Sequence, residues 1–233
     1  MQVANCLKGA EVTTALNAPA LNAELLKQMG PSLDLAERLG RFVMQMCDGR
    51  VQKIEVSLSG EILEYPTTEP IVLSVLKGFL SVISDFPVNF VNARARMKAH
   101  GAEVVETRSA QPKDYLRLKT VTATLDNGRT VSASGTVFAP NSPRIVAINN
   151  LRFEMRPKGN IILLENDDVP GVIGSVCTTL GKAGINIGEI SWGRDAKGGR
   201  AMTAINADNP VPAAVLADLG KLPHVLSVRL ITL

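Results

Sequence analysis

Aromatic side chains are scarce in this sequence, 4% of 233 residues, which leaves few platforms on which unpaired bases could stack. An excess of one charge is missing too. Lysine and arginine outnumber aspartate and glutamate by only 25 to 22, too little to mark a nucleic-acid binder. Of the two histidines, His100 precedes a helix-ending Gly101 and His224 follows Pro223, so both read as structural or surface residues. The three cysteines, Cys6, Cys47 and Cys177, lie far apart among apolar neighbours and form no CxxC. They are expected to be reduced and structural, and no metal site is assigned. Apolar stretches stop well short of membrane-spanning length, as in Ile71–Val82, where Ser74, Lys77 and Gly78 interrupt. The start, Met1-Gln2-Val3-Ala4-Asn5-Cys6, has no charged region followed by an apolar run. A cytoplasmic location with no membrane partner is therefore expected. No GxGxxG follows a strand pattern and no histidine stands with acid and arginine partners, so neither a cofactor nor a catalytic residue is assigned to the chain itself.

What is present suffices for two packed domains, with 45% hydrophobic residues over a length above that of most single domains. Residues 1–18 read as a helix end, a Gly turn and a short extended piece before Pro19. From Asn22 to Cys47, Leu25, Leu26, Met29, Leu33, Leu35, Leu39, Val43 and Met46 recur at three and four. Gly30-Pro31-Ser32 interrupts them, which predicts two amphipathic helices. Alternation over Val51–Leu63 predicts a strand, and Thr67 or Thr68 with Pro70 predicts a capped helix start. A further helix is expected from Asn89 to His100. Tyr115–Leu125 and Arg129–Phe138 read as strands joined through Asn127-Gly128, a hairpin turn. Arg144–Asn149 and Arg152–Arg156 follow around Asn149-Asn150. Pro157-Lys158-Gly159-Asn160 is the best domain boundary. Beyond it the order is strand 161–166, helix 169–183, strand 185–194, turn 196–199, strand 200–207, helix 211–220 and strand 225–232, a ferredoxin-like βαββαβ unit.

The segment Asn166-Asp167-Asp168-Val169-Pro170-Gly171-Val172-Ile173 carries the most chemistry. Asp168 is placed to cap the helix and Pro170 to occupy its first turn, leaving the N–H groups around Val172 and Ile173 to attract a carboxylate. Asp168 can accept hydrogen bonds from an ammonium, and Asn186 can donate and accept. Together they suit an α-amino acid. A few charge-assisted hydrogen bonds of about 1.5–3 kcal/mol each would support micromolar binding. The same residues also fit a purely structural reading, with Asp168 as a cap and Asn186 turning the chain into a strand.

Asp168-Val169-Pro170-Gly171 with the downstream Ala183-Gly184-Ile185-Asn186-Ile187 resembles the ACT domain, a regulatory module of amino-acid metabolism, over residues 160–233. Cys6–Val12 running into Ala15–Pro19 resembles the end of the catalytic part of D-3-phosphoglycerate dehydrogenases and the strand that leaves it. Residues 20–157 resemble the intervening, or allosteric substrate-binding, domain of the long form of that family. The resemblance implies an α+β fold, with residues 1–19 a remnant of the catalytic part, 20–157 an α/β-sandwich-like intervening domain and 160–233 a ferredoxin-like ACT domain. It implies L-serine or another small amino acid as effector, held between two subunits by Asn166, Asp168 and Asn186. It further implies self-association through ACT domains, a catalytic domain as partner, and NAD in the parent enzyme. Asn166 stands where His or Tyr is common in the family, and Val169 where Arg is common.

The basic residues of the first domain read either as a solvated surface or as a site for a phosphate-bearing metabolite. Arg144, Arg152 and Arg156 are the first candidates because they flank the domain junction; Arg108 and Lys113 are weaker ones. Two other readings compete. The β-chain of an iron–sulfur L-serine dehydratase joins similar modules, but its Gly-Pro-Ser-Ser-Ser-His-Thr stretch is here only Gly30-Pro31-Ser32-Leu33-Asp34. A free-standing ACT protein sensing an amino acid for another partner is the other.

Overall fold

The computed structural model describes residues 23–111, 114–138 and 141–233; the expected remnant over 1–19 and its Cys6 lie outside them, as does Lys113. The first element, α1, is a single helix, Ala23–Met46, with Pro31 inside it. This corrects the expected break at Gly30-Pro31-Ser32. Proline removes one backbone donor, and the residue before it resists helical geometry when it carries a Cβ. Gly30 has no Cβ. What holds the helix is its face: Met29, Leu35, Ala36, Leu39, Phe42 and Val43 are all fully buried, and this packing outweighs one missing hydrogen bond.

Strand β1 covers Val51–Gly60. It ends three residues earlier than expected because Gly60 turns to φ 77 and the chain enters a 3-10 turn over Glu61–Glu64. Helix α2 is Glu69–Leu80 with Pro70 in its first turn; Thr67 Oγ1 accepts from Glu69 N at 3.3 Å, while Thr68 Oγ1 donates to Glu106 at 2.7 Å. Helix α3, Ala93–His100, is closed by Gly101 at φ 83. A strand not expected from the sequence follows, β2 over Glu103–Ser109. It pairs parallel with β1 at the edge of the sheet. Strands β3 (Arg117–Leu125), β4 (Thr130–Phe138), β5 (Ser142–Ile148) and β6 (Leu151–Met155) continue it as antiparallel neighbours, in the order β2-β1-β3-β4-β5-β6.

Helices α1 and α2 cross at two glycines. A Cβ on Gly40 would lie 2.0 Å from the Val75 carbonyl oxygen, and one on Gly78 1.8 Å from that of Glu37. Backbone meets backbone there, so only glycine fits.

The second half is β7 (Asn160–Asp167), α4 (Val172–Lys182), β8 (Ile187–Arg194), β9 (Arg200–Ala207), α5 (Ala213–Gly220) and β10 (Val225–Thr232). Its four-stranded sheet has the order β10-β7-β9-β8, with every pair antiparallel. This is the expected βαββαβ unit. The fold is α+β, with helices α4 and α5 packed on Ile162, Leu164 and Ile205 of one sheet face.

The opposite face is where the two halves meet. Ile161, Leu163, Met202, Ala204 and Ile231 belong to the same buried cluster as α1 and β3. Gln45 completes the backbone of β10, its amide donating to Thr232 O and accepting from Thr232 N, each at 3.0 Å. Arg229 grips Asp48 through two bonds of 2.7 and 2.6 Å, and Arg38 donates to the Pro157 carbonyl at 2.8 Å. The boundary at 157–160 is thus a change of sheet within one continuous core.

Candidate functional site

The turn from β7 into α4 differs from its expected geometry. Gly171, at φ 93, occupies the cap position, no side chain caps the helix, and α4 begins only at Val172. Pro170 therefore precedes the first turn. Asp168 does not cap α4, because its Oδ2 is taken from the other side: Arg194 Nη1 donates at 2.7 Å and Gly198 N at 3.0 Å. The β8–β9 turn outcompetes the helix for this carboxylate. The Gly198 N–H, and after it the Arg194 guanidinium, hold the Asp168 carboxyl below its usual range. With no side chain on the first-turn N–H groups, the start of α4 stays available to an anion, with Val172 buried and Ile173 half-buried beside it.

Asn166 turns inward. It is 4% exposed; its Oδ1 accepts from Thr203 Oγ1 at 3.2 Å and its Nδ2 donates to Asp167 O at 2.8 Å. Asn186 is exposed and donates to Asp208 Oδ2. The register shows how far it lies from Asp168. Asp167 pairs with Arg200 at one end of the β7–β9 ladder and Asn160 with Ala207 at the other. Ile187, one residue after Asn186, pairs with that same Ala207. Seven ladder steps of ~3.4 Å put Asn186 and Asp168 roughly 20 Å or more apart, at opposite ends of the sheet. Asp168 and the Val172 and Ile173 N–H groups come together; Asn186 does not join them within one chain. Arg194, which sequence reasoning did not select, does. It stands at the end of β8, where no local pattern signals that the fold will bring it to Asp168.

The basic candidates divide as well. Arg144 and Arg156 line one cleft of about 240 Å³, together with Arg38 and Lys158, which the sequence did not single out for this cleft. Arg144 is fixed there by Glu154 at 3.2 Å and by Ser142 and Pro143 O at 2.7 and 3.0 Å. Arg156 reaches Glu189 only at 3.7 Å. Arg152 pairs with Asp114 at 2.8 Å and is not among the residues lining this cleft. Arg108 binds Glu106 at 2.7 Å. His224 Nδ1 lies 3.3 Å from Asp167 Oδ2, and among the described residues no group of His, Cys, Asp and Glu could hold a metal ion. Cys47 and Cys177 are free, and burial raises the Cys47 thiol to about 11, so it stays protonated at neutral pH.

Residues 28–149 match the D-3-phosphoglycerate dehydrogenase intervening domain. The chain belongs to that family. Within this intervening-domain family member, residues 160–224 match the ACT domain. Among similar proteins is a D-3-phosphoglycerate dehydrogenase of Methanocaldococcus jannaschii, 34% identical over all of this chain and 44% of the relative. Those of Synechocystis sp. and Bacillus subtilis are 32% and 31% identical, matching 94% and 100% of this chain and 40% and 44% of the relatives. The chain thus spans about two fifths of the length of these proteins. Among the described residues no helix is long and apolar enough to cross a membrane.

Proposed function

We propose that this chain is the regulatory portion of a cytoplasmic, NAD-dependent D-3-phosphoglycerate dehydrogenase, and that it binds a small α-amino acid, L-serine first among candidates, between two ACT modules. The separation of Asp168 from Asn186 is the observation that carries this reading. Strand β8 is at the edge of its sheet, and it runs from the Asn186 end to the Arg194 and Asp168 end. Two copies pairing β8 with β8 antiparallel across a twofold would bring Asn186 of one copy to the Asp168 end of the other, twice. Each composite site then has a carboxylate for the ammonium, helix N–H groups and the Arg194 guanidinium for the effector carboxylate, and an amide from the second copy. Asn166 holds the β7–α4 turn from beneath instead of touching the ligand. Arg194 supplies the cation that Val169 does not.

In this reading the effector favours one arrangement of paired modules over another, and it can shift that balance only by binding the two arrangements unequally. The catalytic part of the parent enzyme, with its NAD, is the partner that responds. Calorimetry with L-serine, glycine and larger amino acids on the full chain tests it. Heat with serine that vanishes in Asp168→Ala and in Asn186→Ala is expected; unchanged heat in either variant removes the assignment.

The cleft of Arg38, Arg144, Arg156 and Lys158 supports a second ligand, a phosphate-bearing metabolite at the junction of the modules. Four cations favour a dianion, with Arg156 and Lys158 the freer to turn to it, since Arg38 already pairs with Asp34 and Arg144 with Glu154. Binding of 3-phosphoglycerate that persists unchanged in Arg144→Ala, Arg156→Ala would sink it, whereas Arg152→Ala is expected to have little effect.

A further inference from the structure

Both tyrosines of the chain, Tyr65 and Tyr115, line a cleft of about 630 Å³ beneath the first turns of α1, with Phe138 beside them. In a sequence this poor in aromatics, the concentration sets the cleft apart, and its size is that of small-molecule sites. Tyr115 and Phe138 meet edge to face at 6.0 Å between centroids, and the Arg117 guanidinium lies 6.0 Å from the Tyr65 ring.

Lys119 is not itself among the residues that line the cleft, but residues beside it are. It is fully buried, and its Nζ has no hydrogen-bond partner. Arg117, two residues earlier on the same face of β3, lines the cleft, and so does Thr136, next to Gly135, the cross-strand partner of Lys119. Leu35 closes over Gly135, and Ser32, three residues earlier on α1 and itself 4% exposed, is again part of the lining. Lys119 is about 7 Å along the strand from Arg117. A buried ammonium without a counter-charge is costly, and none of the described residues pairs with this one.

We propose that this cleft binds a small amphipathic carboxylic acid, its apolar body against Tyr65, Tyr115 and Phe138 and its carboxylate on the Ser32, Arg117 and Thr136 side, next to Lys119. A single negative charge is favoured over a phosphate because Arg117 is already paired with Glu61 at 3.2 Å and Asp114 also lines the cleft. Asp114 is held by Arg152 at 2.8 Å, so Lys27 on the exposed lining and the neighbouring Lys119 are the cations left to a ligand. The site belongs to the intervening domain and is independent of the amino-acid site between ACT modules. Burial, with a smaller contribution from Arg117, pushes the Lys119 ammonium down to about 7, as expected of a cation whose partner arrives with a ligand.

Calorimetric titration of the full chain with 3-phenylpropanoate tests this against its uncharged amide. The acid should bind saturably, one per chain, and the amide at least tenfold more weakly. Lys119→Met should lose the acid by a similar factor, and Phe138→Ala, a change on the exposed rim, should weaken it several-fold in a protein that folds as the parent does. No saturable binding of the acid, or acid and amide binding alike, overturns the proposal. Lys119→Met or Phe138→Ala binding the acid as the parent does overturns it too.

Discussion

Asp168 shows how a side chain can keep its candidate role and change its reason. DxPG before a helix suggested a cap, yet the fold gives the carboxylate to Gly198 N and Arg194 and leaves the helix start bare. Its folded pKa is lowered, so it contributes stability that is present above the usual carboxylate value and is lost as pH falls from there through its own lowered value. Effector binding should hold through the ordinary carboxylate range and fade only as pH falls through that lowered value, which titrations carried from pH 6 down to pH 3 would check. Lys119 has the opposite sign of interest. Its folded value, about 7, lies below the unfolded one near 10.5, so the unfolded chain holds more protons between those values and stability rises with pH across that window. Lys119→Met should raise the urea midpoint at pH 7, by ~1–4 kcal/mol in unfolding free energy, and flatten this rise. The sequence announced neither feature, because both depend on which strand the fold lays beside which.

At the scale of elements, short-range rules worked where the chain's own turns decide. Asn127-Gly128 and Asn149-Asn150 do reverse the chain, the latter at φ 45 and 67, and the βαββαβ order is as the periodicity predicted. They failed where packing decides. Helix α1 runs through Pro31 because a long apolar face holds it, and β2 escaped notice because Glu103, Glu106, Thr107 and Arg108 show little apolar alternation; the parallel partner β1 makes it a strand. The crossing of α1 and α2 depends on Gly40 and Gly78. Gly78→Ala or Gly40→Ala should cost ~1–3 kcal/mol or more by overpacking. Gly181→Ala, in α4 with nothing within 4 Å of its Cβ, should gain ~0.5–1 kcal/mol from helix propensity. Urea midpoints of the three variants test this contrast.

At the scale of the whole molecule, the two matched modules share one core, with Ile161, Leu163, Met202, Ala204 and Ile231 packed into the cluster built by α1 and β3. Calorimetric unfolding should therefore show a single transition, and two separated transitions would contradict the shared core. With one core shared at the junction, the proposed effector would act by moving copies of the chain relative to each other, not one module against the next. The composite site is the centre of this account, and mixing tests it most directly. Asp168→Ala and Asn186→Ala chains, each unable to bind L-serine alone, should regain binding at up to about one quarter of the parent's site number when mixed in equal amounts and allowed to exchange, since only mixed pairs hold one intact site. No recovery in exchanged mixed pairs would place Asp168 and Asn186 outside a shared site and contradict it.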